Sequence, residues 1–129
     1  LLDSIPDIPD FYFDAQRFER AINNCLTNAY KFSPGSGVVS MSIYQRAAEV
    51  PELVIEIRDQ GIGMTPEQLS RIFEKFYRAD KSGHIPGTGL GMVLVKDILE
   101  AHGGRVLVAS ELNVGTTVTL ILPIRTVID

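Results

Sequence analysis

The 129 residues are enough for one domain with a real core, and 45% of them are apolar. The net charge of −4 comes from interspersed acids and bases with no basic run, which argues against nucleic acid or an anionic membrane surface as partner. A single cysteine excludes an internal disulfide, and two histidines without a Cys/His cluster argue against a structural zinc site. No apolar run reaches membrane-spanning length and the start is not signal-like, so a soluble domain in a reducing compartment is expected.

Leu1 to Asp10 is rich in Pro and Asp and predicts a linker or edge segment trailing from an upstream module, with the domain itself over 11–129. Phe11 to Phe13 suits a short strand, and Asp14 is placed to cap a helix. From Ala15 to about Lys31 the spacing is helical. Phe18, Ala21, Ile22, Cys25, Leu26 and Ala29 form its core face. A second stripe on the same helix runs through Arg17, Arg20, Asn24, Asn28 and Lys31. Asn24 and Asn28 are stacked one turn apart. Asn is a poor helix former because its amide competes for backbone groups, so two in mid-helix carry a local cost that a function would explain. An amide oxygen suits Mg²⁺, and a Lys one turn on suits phosphate oxygens.

Pro34, Gly35 and Gly37 should end that helix near Phe32 and Ser33. Val38 to Tyr44 alternates as a strand, and Gln45 to Glu52 is a polar connection. Leu53 to Ile57 predicts a second strand ending at Asp59-Gln60-Gly61-Ile62-Gly63, with Met64 behind it. A carboxylate at the end of a buried strand is costly unless something hydrogen-bonds to it. Two glycines one residue apart let a flat ligand approach the backbone closely. Together they suit a pocket in which Asp59 accepts from an exocyclic amine, as on adenine.

Thr65, Pro66 and Gln68 carry the signature of a short helix with a capping box. Phe73 to Arg78 packs three aromatics among charges. Met64 to Pro86 as a whole predicts a long, partly irregular connection of the kind that often serves as a lid. Gly87-Thr88-Gly89-Leu90-Gly91 then runs into an apolar helix, Met92 to Ala101, stopped by Gly103-Gly104. Glycines before a helix leave N–H groups pointing outward at the positive end of its dipole, which suits a phosphate chain. Neither the Walker loop nor the dinucleotide fingerprint fits this stretch. Arg105 to Ser110 and Thr116 to Leu122 predict a closing hairpin through Asn113 to Gly115.

Taken in order, these signals resemble the catalytic and ATP-binding domain of sensor histidine kinases, within the superfamily that includes gyrase-type ATPases and Hsp90. The N box is similar to Asn24–Phe32, the first Gly box to Asp59–Gly63, the F box to Phe73–Arg78 and the second Gly box to Gly87–Gly91. A Gly-Thr block, Gly115-Thr116-Thr117, closes the set, and the likeness spans about Asp14 to Pro123. It implies an α/β (α+β) two-layer sandwich of the Bergerat type, a mixed sheet of about five strands with three helices on one face.

By the same likeness Asp59 accepts from adenine, supported through water by Thr116 or Thr117. Gly61, Ile62, Gly63 and Met64 shape the adenine pocket, with Phe32 and Phe76 beside it. Asn28 holds Mg²⁺ against the phosphates, and Asn24 and Lys31 contact them. Arg78 reaches the γ-phosphate from the lid, and the N–H groups of Gly87, Thr88, Gly89, Leu90 and Gly91 cradle the chain. The resemblance implies transfer of the ATP γ-phosphoryl group to a histidine on a separate dimerisation module, in a two-component pathway with a response regulator. A cytoplasmic location follows, including the cytoplasmic part of a membrane-bound sensor.

Gyrase-type ATPases and related serine kinases carry a Glu four residues before the Mg²⁺-binding Asn. Here that position is Asn24, and Glu19, nine residues before Asn28, lies about a half-turn round the helix. The missing general base favours histidine phosphorylation over hydrolysis. His84 and His102 do not precede an acidic residue as the family's acceptor does, so the acceptor is expected outside this chain. The alternative is a nucleotide-binding pseudokinase that signals through protein contacts.

Overall fold

The computed structural model describes residues 14–33, 37–75, 77 and 91–124. Helix α1 spans Ala15–Lys31, and Asp14 caps it as expected, its carboxylate accepting from the Arg17 N–H. Strand β1 (Ser40–Arg46) forms a hairpin with β2 (Glu52–Arg58). Helix α2 (Pro66–Ser70) carries the full capping box, with Thr65 accepting from the Gln68 N–H and the Gln68 side chain accepting from the Thr65 N–H. Helix α3 (Gly91–Ala101) leads into a second hairpin of β3 (Arg105–Glu111) and β4 (Gly115–Pro123).

Of the expected mixed sheet of about five strands, the described residues form four antiparallel strands in the order β1-β2-β4-β3. The reason is topological. The helical crossover from β2 to β3 leaves these two strands running the same way, but β4 inserts between them, so each described ladder is antiparallel. The candidate strand at Phe11 to Phe13 lies outside the described residues. β1 starts two residues later than its alternation suggests and runs on to Arg46, because Arg46 pairs across the hairpin with Glu52.

Helices α1 and α3 pack on each other and on one face of the sheet. The core joins Phe18, Ile22 and Cys25 of α1 to Val95, Ile98 and Leu99 of α3. Beneath them lie Leu53, Ile55 and Ile57 of β2 and Val118, Leu120 and Leu122 of β4. On the opposite face Tyr44, Val54, Ile121 and Arg105 form one cross-strand row. Val54 and Ile121 are buried there, on the face away from α1 and α3. Long polar side chains flank them instead: Glu52 takes Arg46 on one carboxylate oxygen and Arg105 on the other, at 2.6 and 2.9 Å. Those two guanidiniums hold the Glu52 carboxyl below its ordinary range.

His102, expected to be a helix-terminal residue, ends α3 as a joint between helices. Its Nε2 accepts from the Asp14 N–H at 2.8 Å, while Nδ1 lies 2.8 Å from the Ile98 carbonyl. Both bonds form at once only in the neutral ring that carries its proton on Nδ1.

Cys25 is buried in the core as the pattern predicts, and burial pushes its thiol from 9.0 up to about 12. Between those values the unfolded chain has lost the proton while the folded chain keeps it. The unfolded state then binds fewer protons, so stability falls as pH rises, by about 1.4 kcal/mol per pH unit for this group. Urea unfolding at pH 8 and pH 10 should show this loss in the parent and less of it in Cys25→Ala. Equal alkaline losses in the two proteins would contradict it.

Candidate functional site

Strand β2 delivers Asp59 to the end of the sheet beside the start of β4. Its own N–H donates to the Thr116 carbonyl at 2.9 Å, and its Oδ1 accepts from the N–H groups of Gly61 and Thr116, at 2.9 and 3.2 Å. The residue is only 8% exposed. Two backbone donors hold one oxygen, and the second oxygen has no hydrogen-bond partner among the described residues. A fixed carboxylate with a spare acceptor is what recognition of an amine requires.

The loop after Asp59 is pinned from two sides. The C-terminal end of α1 reaches it through the Phe32 carbonyl, which accepts from the Ile62 N–H at 3.0 Å. From the other side the hairpin turn reaches it: the Asn113 N–H donates to the Ile62 carbonyl at 2.7 Å, and the Met64 N–H donates to Ser110 Oγ at 2.9 Å. The backbones approach so closely that a Cβ on Gly61 would overlap the Phe32 carbonyl, and one on Gly63, at φ +65°, would overlap the Glu111 carbonyl. The glycines are therefore set by the neighbouring backbone, and they hold the helix end, the loop and the hairpin as one unit.

Ser110 was not apparent as a site residue from its sequence, yet it sits at the centre of this unit. Its Oγ lies 3.1 Å from the Gly115 carbonyl and 2.7 Å from Thr116 Oγ1. With its own proton on the Gly115 carbonyl, it receives a proton from the Thr116 hydroxyl. Thr116 thus stands beside Asp59 on the helix-covered face. Thr117 faces the other way, in a row with Arg58 and Ala109, so the pair of threonines is divided by the sheet.

Asn24, Asn28 and Lys31 are half-buried on α1, and Asn28 Nδ2 lies 3.6 Å from where a Cβ on Gly91 would stand. The last glycine of the second Gly box thus starts α3 directly against the Asn28 amide. Phe32 is half-buried, and Met64 is buried behind the loop. Ile62 is 42% exposed. Among the described residues no group of three or more His, Cys, Asp or Glu side chains is arranged to hold a metal. The oxygen of an amide such as that of Asn28 is a hard donor of the kind that would suit Mg²⁺ shared with phosphate oxygens and waters.

The connection after α2 begins with Ile72 and Phe73 packed against the core, and Lys96 of α3 lies 5.5 Å over the Phe73 ring. Arg71 lies 4.4 Å over the Tyr77 ring and pairs with Glu74. Phe76, Arg78, Gly87, Thr88, Gly89 and Leu90 fall outside the described residues. A cleft of about 250 Å³ lined by Arg17, Arg20, Leu94, Asp97 and Ile98 lies further back between α1 and α3, and none of the expected nucleotide contacts lines it. No described helix is long and apolar enough to cross a membrane.

Comparison with known proteins places this geometry. Residues 13–126 match the family described as histidine kinase-, DNA gyrase B-, and HSP90-like ATPase. The chain is 36% identical over 126 residues to the sensor histidine kinase WalK of Bacillus subtilis (strain 168), covering 95% of this chain and 20% of WalK. It is 34% identical over 125 residues to the adaptive-response sensory kinase SasA of Synechococcus elongatus, covering 96% of this chain and 32% of SasA. The chain thus spans a fifth to a third of these relatives. Among solved structures, the mycobacterial sensor histidine kinase MprB superposes with a TM-score of 0.78 at 33% identity, over 91% of this chain and 78% of that one. Full-length ShkA, solved in complex with AMPPNP, gives 0.74 at 28% identity, over 95% of this chain and 24% of that one. The chain therefore belongs to the histidine kinase-, DNA gyrase B- and HSP90-like ATPase family, as an ATP-binding domain of the sensor histidine kinase type.

Proposed function

We propose that this domain binds Mg²⁺-ATP against the first Gly box and transfers the γ-phosphoryl group to a histidine on a separate dimerisation module, for relay to a response regulator. The observation that carries the reading is Asp59: one oxygen is fixed by two backbone N–H groups and the other is free to accept from adenine. The half-buried Asn24, Asn28 and Lys31 follow along α1 toward the start of α3. Asn28 holds the metal, Asn24 and Lys31 take phosphate oxygens, and the glycines before α3 offer N–H groups to the rest of the chain. Bound Mg²⁺ supplies neutralisation of phosphate charge. The protein residues supply position, which is most of what phosphoryl transfer asks of an enzyme. With Asn24 where the hydrolysing relatives carry Glu, no side chain of the N box acts as base, and a histidine acceptor brings its own. The domain works on the cytoplasmic side, whether or not the whole protein is tied to a membrane.

Calorimetric titration with AMPPNP, with and without Mg²⁺, tests the binding half. Adenine-specific binding in the micromolar range is expected. Asn28→Ala should bind in the absence of Mg²⁺ about as well as the parent and lose most of the gain that Mg²⁺ brings. A variant with an undiminished Mg²⁺ effect would show that another residue holds the metal. Phosphotransfer in trans to an added histidine module tests the second half, and its absence despite tight binding would support the pseudokinase alternative.

A further inference from the structure

One polar side chain at the junction of helix and loop is unaccounted for. Ser33, just past the Phe32 cap of α1, is 9% exposed, and its buried Oγ has no hydrogen-bond partner among the described residues. Native proteins rarely leave a buried hydroxyl in this state, because a group taken out of water without a partner is costly. Its position is informative. Ser33 Oγ lies 2.9 Å from where a Cβ on Gly61 would stand, and the Gly61 N–H is the donor that fixes Asp59 Oδ1. The preceding Phe32 carbonyl already accepts from Ile62. The orphan hydroxyl and the Asp59 carboxylate therefore flank the same glycine, at a place where apolar Ala would fill the space without leaving a polar atom unpaired.

We propose that Ser33 is a further base-recognition residue, whose hydroxyl hydrogen-bonds, directly or through one ordered water, to the purine that Asp59 accepts from. The proposal rests on the adenine reading of Asp59. It assigns the hydroxyl a partner that arrives with the nucleotide, and it makes the end of α1 responsible for part of the base contact as well as for the phosphates.

The test is calorimetric titration of the parent, Ser33→Ala and Ser33→Cys with AMPPNP and Mg²⁺, alongside thermal melting of each without nucleotide. Both variants should bind about threefold to tenfold more weakly than the parent, since a thiol matches the shape but is a weak donor. Without nucleotide, Ser33→Ala should melt at or slightly above the parent temperature, because it removes an unpaired buried group. A merely structural serine would give the reverse pattern, a lower melting temperature with affinity intact, and that would overturn the proposal. Full affinity in Ser33→Cys would overturn it too, by showing that shape and not the hydroxyl matters. No adenine-specific binding by the parent would instead overturn the reading of Asp59 on which the proposal stands.

Discussion

Asp59→Asn is expected to weaken binding of adenine nucleotides by roughly tenfold to a hundredfold while leaving the fold in place. Both halves follow from the geometry at Asp59. The amide oxygen of Asn can take over acceptance from the Gly61 and Thr116 N–H groups, so the loop keeps its anchor. That orientation turns the NH₂ group toward the position that must accept from the adenine amine, and two donors then face each other. Loss of a hydrogen bond to a charged group is worth about 1.5–3 kcal/mol, which sets the range. Calorimetry with AMPPNP reads the affinity, and melting without nucleotide reads the fold. Affinity within threefold of the parent would count against this pocket.

Gly63→Ala should destabilise the domain by about 2–5 kcal/mol and weaken nucleotide binding with it. Two penalties combine. At φ +65° an L-residue in the left-handed region costs about 1–2 kcal/mol, and overpacking against a fixed group typically adds about 1–3. The obstacle is the Glu111 carbonyl, which is backbone and cannot swing aside like a flexible side chain. The hairpin must retreat, and the Asn113–Ile62 and Met64–Ser110 hydrogen bonds are the ones strained by that movement. Urea unfolding measures the loss. A change below about 1 kcal/mol would mean that the loop and hairpin are not held together as described.

Local chemistry made much of this legible in the sequence. Asp14 and the Thr65–Gln68 box announce their helices because capping depends on residues only two or three positions apart. The Asn24–Asn28 stripe was readable for the same reason, since helical spacing alone puts both on one face. Pairings between distant segments were not readable. Nothing local says that β4 inserts between β2 and β3, so the antiparallel order of the described strands could not be read from the sequence. The division of Thr116 from Thr117 depends on strand register, and alternation shows that two adjacent residues face opposite ways without saying which way the site lies. Ser33 and Ser110 are ordinary serines in sequence. They gain meaning only when Gly61 and Met64 are brought against them.

The insertion of β4 also bears on how the chain comes to be folded. During synthesis α1, the first hairpin and α3 emerge before the strand that completes the sheet. Until Gly115–Pro123 is available, β2 and β3 each lack the neighbour that β4 provides among the described strands. Leu53, Ile55 and Ile57 must wait for Val118, Leu120 and Leu122 to arrive beside them. Closure is then a late, long-range event that is slow relative to helix formation. Until it occurs, an apolar sheet face and an open strand edge are exposed to other chains. The same strand carries the Thr116 N–H that steadies Asp59, so the proposed adenine acceptor is in place only once this strand has joined the sheet.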